Sequence, residues 1–131
     1  MKLTIPGEPR TKKNSQQILI NHATGKPFIM PSKEYRAYSK HCALFLPKLK
    51  EPISEPVNIK CVFYRSTRRR VDLVNLLECV ADILTENHII SDDNRNVMYA
   101  VDGSRVYWDK ASPRVEITIE PITEEVERWK E

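Results

Sequence analysis

Apolar and polar positions change period several times along this chain, and each change marks an element. Residues 2–5 alternate and stop at Pro6-Gly7, the pattern of a short strand closed by a turn. Ile18-Leu19-Ile20 and Phe28-Ile29-Met30 flank the turn residues Gly25 and Pro27, which predicts a β-hairpin. Ser32 is a good N-cap type, and no glycine or proline interrupts the run that follows until Pro47, so a helix is expected to about Phe45. Pro52 and Pro56 mark a connection. Over residues 57–64 the alternation returns, with Val57, Ile59, Cys61 and Phe63 on one side of a half-buried strand.

The second helix has the clearest signature. At 100° per residue Leu73, Leu76, Leu77, Val80, Ile83 and Leu84 gather on one face, and Asp72, Asn75, Glu78, Asp82 and Glu86 gather opposite. The pattern fails at Asn87-His88. Residues 97–101 and 105–108 read as strands around Asp102-Gly103, with the Asp102-Gly103-Ser104-Arg105 turn expected to be a hairpin loop. A further strand is expected over 115–119. Residues 123–131 suit either a short charged helix or a frayed tail. The order strands, helix, strand, helix, strands predicts one α+β domain over 1–131, a mixed or antiparallel sheet packed with two main helices.

Composition narrows this picture. With 131 residues, 40% hydrophobic and 30% charged, the chain has the make-up of a single globular domain. A domain of this size buries roughly two-thirds of its unfolded surface, so it holds a core with little to spare, and pairing with a second copy would add to it. Cys42, Cys61 and Cys79 are odd in number and contain no CxxC pair, which argues against a disulfide framework or a structural zinc site. No apolar run approaches the ~20 residues that span a bilayer. The first residues turn polar too soon for a signal peptide, so a cytoplasmic protein with no membrane partner is expected.

The net charge of +3 matters less than its distribution. Arg10, Lys12 and Lys13 form one basic cluster, and Arg65, Arg68, Arg69 and Arg70 form another. The acids collect between Asp72 and Asp93 and at the C-terminal end. Basic clusters beside an acidic one suit a polyanion held next to a metal. Hydrolysis of a phosphodiester at neutral pH needs a nucleophilic water and neutralisation of phosphate charge; Mg²⁺ on one or two carboxylates supplies both. Two carboxylates 4 Å apart repel by about 4 kcal/mol at an effective dielectric near 20, so a cluster of acids suggests a cation. Taken alone, the acids of the second helix equally suit a solvated face, and Asp92-Asp93 is an ordinary turn signal.

In combination these features resemble a known pattern. A strand ending in arginines, then Asp72-Leu73-Val74-Asn75 opening an amphipathic helix, then Asp92-Asp93 before a strand, is similar to the RusA-type Holliday-junction resolvases, and Ile5-Pro6-Gly7-Glu8-Pro9 with Lys12-Lys13 resembles that family's first strand and basic loop. The resemblance runs over roughly residues 3–119. It implies a Mg²⁺-dependent endonuclease acting as a homodimer on four-way DNA junctions in recombination and repair. By residue it implies Asp72 and Asp93 as catalytic and metal-binding; Glu78, then also catalytic, or Asp92 would supply the metal-binding oxygen that is missing at Val74. Arg10, Lys12, Lys13, Arg68, Arg69, Arg70 and Arg105 would contact DNA, and Asn75 would be structural. Two positions depart. Val74 stands where many members have a second aspartate, and Glu78 where many have a lysine; the sequence resembles a phage and prophage branch with Asp-Leu-x-Asn-x-x-Glu. The departures keep a second expectation open, a branched-DNA-binding protein that has the fold without cleavage. Tyr107 and Trp108 are expected to pack in the sheet, and Trp129 to pack on a partner chain.

Overall fold

A computed structural model describes residues 1–11 and 16–130. The elements follow the order β1 (Lys2–Pro6), β2 (Gln16–Ile20), β3 (Pro27–Pro31), α1 (Lys33–Ala43), β4 (Val57–Arg65), α2 (Leu73–Glu86), β5 (Met98–Ala100), β6 (Arg105–Trp108) and β7 (Arg114–Pro121). The main sheet runs β1-β7-β4-β5, with β6 also on β4. β1 and β4 flank β7 antiparallel, whereas β5 and β6 lie parallel to β4. The sheet is therefore mixed, and the fold is α+β. β2 and β3 form a separate antiparallel hairpin.

Alternation in the strands decides which face is covered. Ile59, Cys61 and Phe63 of β4 and Val115, Ile117 and Ile119 of β7 are buried, together with Ile5 of β1. They form one core with Tyr35, Tyr38 and Cys42 of α1 and Leu76, Cys79, Val80, Ile83 and Leu84 of α2. Both helices thus cover one face of the sheet, and the face carrying Lys60 and Tyr64 is left open. Ser32 caps α1 as its residue type predicts, its hydroxyl accepting from the Tyr35 amide at 3.2 Å. α2 stops where His88 takes a left-handed conformation (φ 57) beyond the Asn87 cap.

The structure corrects two expectations. Asp102–Arg105 is not a hairpin loop: β5 and β6 run in the same direction along one edge of β4, at Val57–Asn58 and at Val62–Arg65. Between them the edge is patched by side chains. Asn58 exchanges bonds with the Asp102 backbone at 2.8 and 3.1 Å, and the Ser104 hydroxyl accepts from the Cys61 amide at 3.0 Å. Residues 122–130 form no helix. Their backbone groups are taken by Arg95 and Asn96, the latter bonding Trp129 through both its donor and its acceptor at 2.8 Å. Trp129 lies under the Arg95 guanidinium, 4.1 Å from the ring centroid, and is still 63% exposed.

Candidate active site

α2 brings the first set of acids into line. Asp72 is the extended N-cap residue (φ −83, ψ 119), and its carboxylate caps no amide. Instead it accepts from Asn75 Nδ2 at 3.2 Å. Asn75 is itself buried, not on the solvated face where its helical phase puts it, so a fixed amide orients an exposed carboxylate. Val74 is already helical and 66% exposed. Val74, Glu78 and Asp82 are spaced four apart and share one face.

That face borders a hollow of about 420 Å³ lined by Val74, Leu77, Glu78, Ala81, Asp82, Asp93 and Met98. Of the sequence-predicted acids, Glu78 and Asp93 meet there; Asp72, at the helix start, and Asp92 are not among the lining residues. Asp82, which periodicity assigns to a solvated face, is the acid that sequence reasoning missed. Its signal, an i+4 spacing from Glu78, gains meaning only once the chain returns to bring Asp93 alongside. Like charges at this spacing cost a helix about 0.2–0.5 kcal/mol per pair, and Glu86 extends the stripe into the last turn, where the helix dipole also disfavours acid.

The Asp92-Asp93 turn splits two like carboxyls. Asp92 accepts from the Asp93 amide at 2.7 Å, and this amide with that of Asn94 holds its carboxyl below the ordinary range. Asp93 is pushed the other way by partial burial, by its hydrogen bond with Asp92, and by the negative charges of Asp92 and Asp82. Among the described residues no three carboxylate, imidazole or thiol groups enclose a metal ion. The donors that do converge are hard oxygens at an open hollow, which fits Mg²⁺ held by one or two carboxylates and otherwise by water, not a closed protein cage. The cysteines do not compete as nucleophiles. All three are buried and none is in a disulfide; burial pushes the Cys61 thiol up to about 12 and Cys42 up to about 11.

The basic segments converge through Glu8, a residue that the sequence presents only as part of a polar loop. Its carboxylate accepts from Arg65 Nε at 2.7 Å and from the Ser66 amide at 2.9 Å. Partial burial opposes its ionisation, but these hydrogen bonds together outweigh it and hold the carboxyl below the ordinary range. Around this tie a hollow of about 220 Å³ gathers Arg10, Arg65 and Arg70. Arg68 lies over Trp108 at 4.2 Å, and the Trp108 indole donates to the Ser66 carbonyl at 3.2 Å. Arg69 is exposed in the same turn, and Arg105 is exposed on β6. Lys12 and Lys13 lie outside the described residues. No described helix is long and apolar enough to cross a membrane.

Comparison with known proteins bears on this arrangement. The family model described as Endodeoxyribonuclease RusA matches residues 6–120, which takes in the arginine turn, α2 and the Asp92-Asp93 turn. No curated protein matches the chain.

Proposed function

The chain belongs to the RusA endodeoxyribonuclease family, and on that premise we propose that it is a Mg²⁺-dependent, homodimeric nuclease that resolves four-way DNA junctions in recombination and repair. The observation that carries the site assignment is the meeting of Glu78, Asp82 and Asp93 at one hollow along α2. When bound, Mg²⁺ would lower the pKa of a coordinated water and offset phosphate charge. Asp93 with Glu78 or Asp82 would hold the ion, and Asp92, kept ionised by backbone amides, would help to hold Asp93 in place. Asn75 would aim Asp72 at the same metal or at its water. Arg10, Arg65 and Arg70, grouped by Glu8, together with Arg68 and Arg69, would grip phosphates and position the DNA without reading bases.

Homodimerisation has its own support. Ile18, Ile20 and Ile29 of the hairpin are 75, 61 and 66% exposed, and Phe28 is 43% exposed. A two-stranded hairpin is marginal alone in water, so these side chains suit a second copy, and a two-fold dimer matches the symmetry of a four-way junction. Sedimentation should give twice the 15.3 kDa chain mass, and Ile18→Lys with Ile29→Lys should give a monomer.

The experiment for the reaction is cleavage of a synthetic four-way junction with and without Mg²⁺, by the natural sequence and by Asp72→Asn and Asp93→Asn. Both variants should bind the junction and fail to cut it; robust cutting by either would remove that residue from the site. The exposed, apolar Val74 in the hollow favours the second reading, a branched-DNA-binding protein without cleavage. Tight binding with no Mg²⁺-dependent cutting by the natural sequence would establish it.

A further inference from the structure

The open face of the main sheet carries a larger hollow, about 710 Å³, on the side away from both helices. The register places its charged side chains. Lys2 of β1 and Lys60 of β4 both stand level with Thr118 of β7, two strands apart, and Arg105 of β6 stands level with Val62. With neighbouring strands about 4.8 Å apart, the backbone positions of Lys2 and Lys60 are roughly 10 Å apart and those of Lys60 and Arg105 roughly 8 Å. All three are exposed, and among the described residues none makes an ion pair. The carboxylate within the hollow, Glu116, is engaged by Arg114 at 3.0 Å. The Lys60 stem lies against Gly103, where a Cβ would come within 2.8 Å of it, so the backbone turn between β5 and β6 steers this lysine.

We propose that this face is a second DNA-contact surface, seating the backbone of a duplex arm on Lys2, Lys60 and Arg105. The proposal rests on the reading of the protein as a branched-DNA nuclease. Charge complementarity supports it: three cations against one already-paired carboxylate. Continuity supports it too. The arginine turn joins β4, which carries part of the open face, to α2, which lines the acidic hollow, and its Arg68 reaches over Trp108, next to Tyr107 at the border of the face. A duplex fits better than an unpaired strand because each aromatic ring here is already partly covered, Tyr107 and Trp108 being 47 and 49% exposed. Arg114 covers Tyr64 at 3.8 Å, Tyr107 leans on Tyr64 at 5.7 Å, and Arg68 covers Trp108. Stacking of bases needs free ring faces, whereas phosphates need only the cations.

The test compares the natural sequence with Lys2→Gln/Lys60→Gln/Arg105→Gln on four-way junctions with long and with short arms, without Mg²⁺. On long arms the triple variant should bind more weakly and its log–log salt slope should fall by about two to three units. On short arms, which end before the open face, Lys2→Gln/Lys60→Gln should bind as the natural sequence does. Lys2→Gln/Arg105→Gln, which leaves the Lys60–Gly103 packing intact, should show a smaller change in the same direction. Equal affinity and slope on long arms, an equal loss by Lys2→Gln/Lys60→Gln on short arms, or a loss confined to a single-stranded oligonucleotide would overturn the assignment. A natural protein that binds no branched DNA would instead overturn the functional reading on which it stands.

Discussion

Asp93 is where a single residue reports most directly on the site. Partial burial and the charges of Asp92 and Asp82 raise its carboxyl above the ordinary range, so protons and Mg²⁺ compete for it in a window displaced upward. The stability that its protonated form contributes is full below the unfolded value and is lost as pH rises through the folded one; above that point the metal-free fold carries an unrelieved charge. Mg²⁺ should therefore raise the Tm at neutral pH and lose this effect as the pH falls into the carboxylate range. The Mg²⁺ concentration for half-maximal cleavage should rise over the same fall in pH. Asp93→Asn should abolish the Mg²⁺-dependent Tm shift, and an unchanged shift would show that the ion sits elsewhere. Single residues were legible only in part. Asp93 and Glu78 stood out because residue type and order pointed to them. Asp82 did not, because its meaning depends on a neighbour eleven residues on, and Glu8 did not, because its partners Arg65 and Ser66 are more than fifty residues away. Asn75 was placed on the wrong face, since a helical phase cannot tell that a polar side chain turns in to hold the carboxylate before it.

At the scale of elements the periods were legible and the pairings were not. The 3.6-residue pattern located α2, and period-two alternation located β4 and β7, because burial on one face imposes each period. Asp102-Gly103 was misleading because a turn dipeptide says that the chain bends, not what the next segment pairs with; here both sides of the bend find the same edge of β4. The element that matters most for chemistry is α2, and its register makes a testable claim about the two departures from the family pattern. With Asp72 as the extended cap and Val74 inside the helix, positions 74, 78 and 82 line up on the hollow. An aspartate at 74 would stand one turn before Glu78 on that line. Glu78→Lys alone should thus raise the Mg²⁺ requirement and suppress cleavage, since it replaces an oxygen with a cation beside Asp82 and Asp93. Val74→Asp with Glu78→Lys should recover cutting by returning a carboxylate to the same face. Titrations of cleavage against Mg²⁺ decide it, and a single Glu78→Lys variant with the natural rate and Mg²⁺ demand would sink the compensation.

Across the whole molecule, the C-terminal segment links distant parts of the chain in a way that no local pattern announces. After β7 it crosses beside the connection before β4, with the Ile122 amide on the Pro56 carbonyl at 3.2 Å and Arg128 on the Ser54 carbonyl at 3.3 Å. It then reaches Arg95 and Asn96, two and three residues past Asp93, and is fastened there by the Asn96–Trp129 bonds and by the Arg95 guanidinium over the indole. Its charged sequence suited either a helix or a frayed tail, but nine residues make a marginal helix without packing, and the backbone partners offered by Asn96 hold it extended. The turn so held is the one that presents Asp92 and Asp93, and its own bonds are short-range, with the Asn96 and Val97 amides on Asn94 at 2.9 and 3.1 Å. The tail therefore acts as a clamp on the acidic turn. An exposed cation–π contact is worth about 0.5–1 kcal/mol, so Trp129→Ala should lower global stability only slightly. Its larger effect should be local: faster hydrogen exchange at the amides of residues 94–97, and a higher Mg²⁺ concentration for half-maximal cleavage, with junction affinity in the absence of metal unchanged. Ending the chain after Ile122 should give the same signature more strongly, because it removes the Asn96 bonds as well. If exchange at 94–97 and the Mg²⁺ demand both stay at their natural values in the truncated protein, the acidic turn holds its own shape and the tail does no more than lie against it.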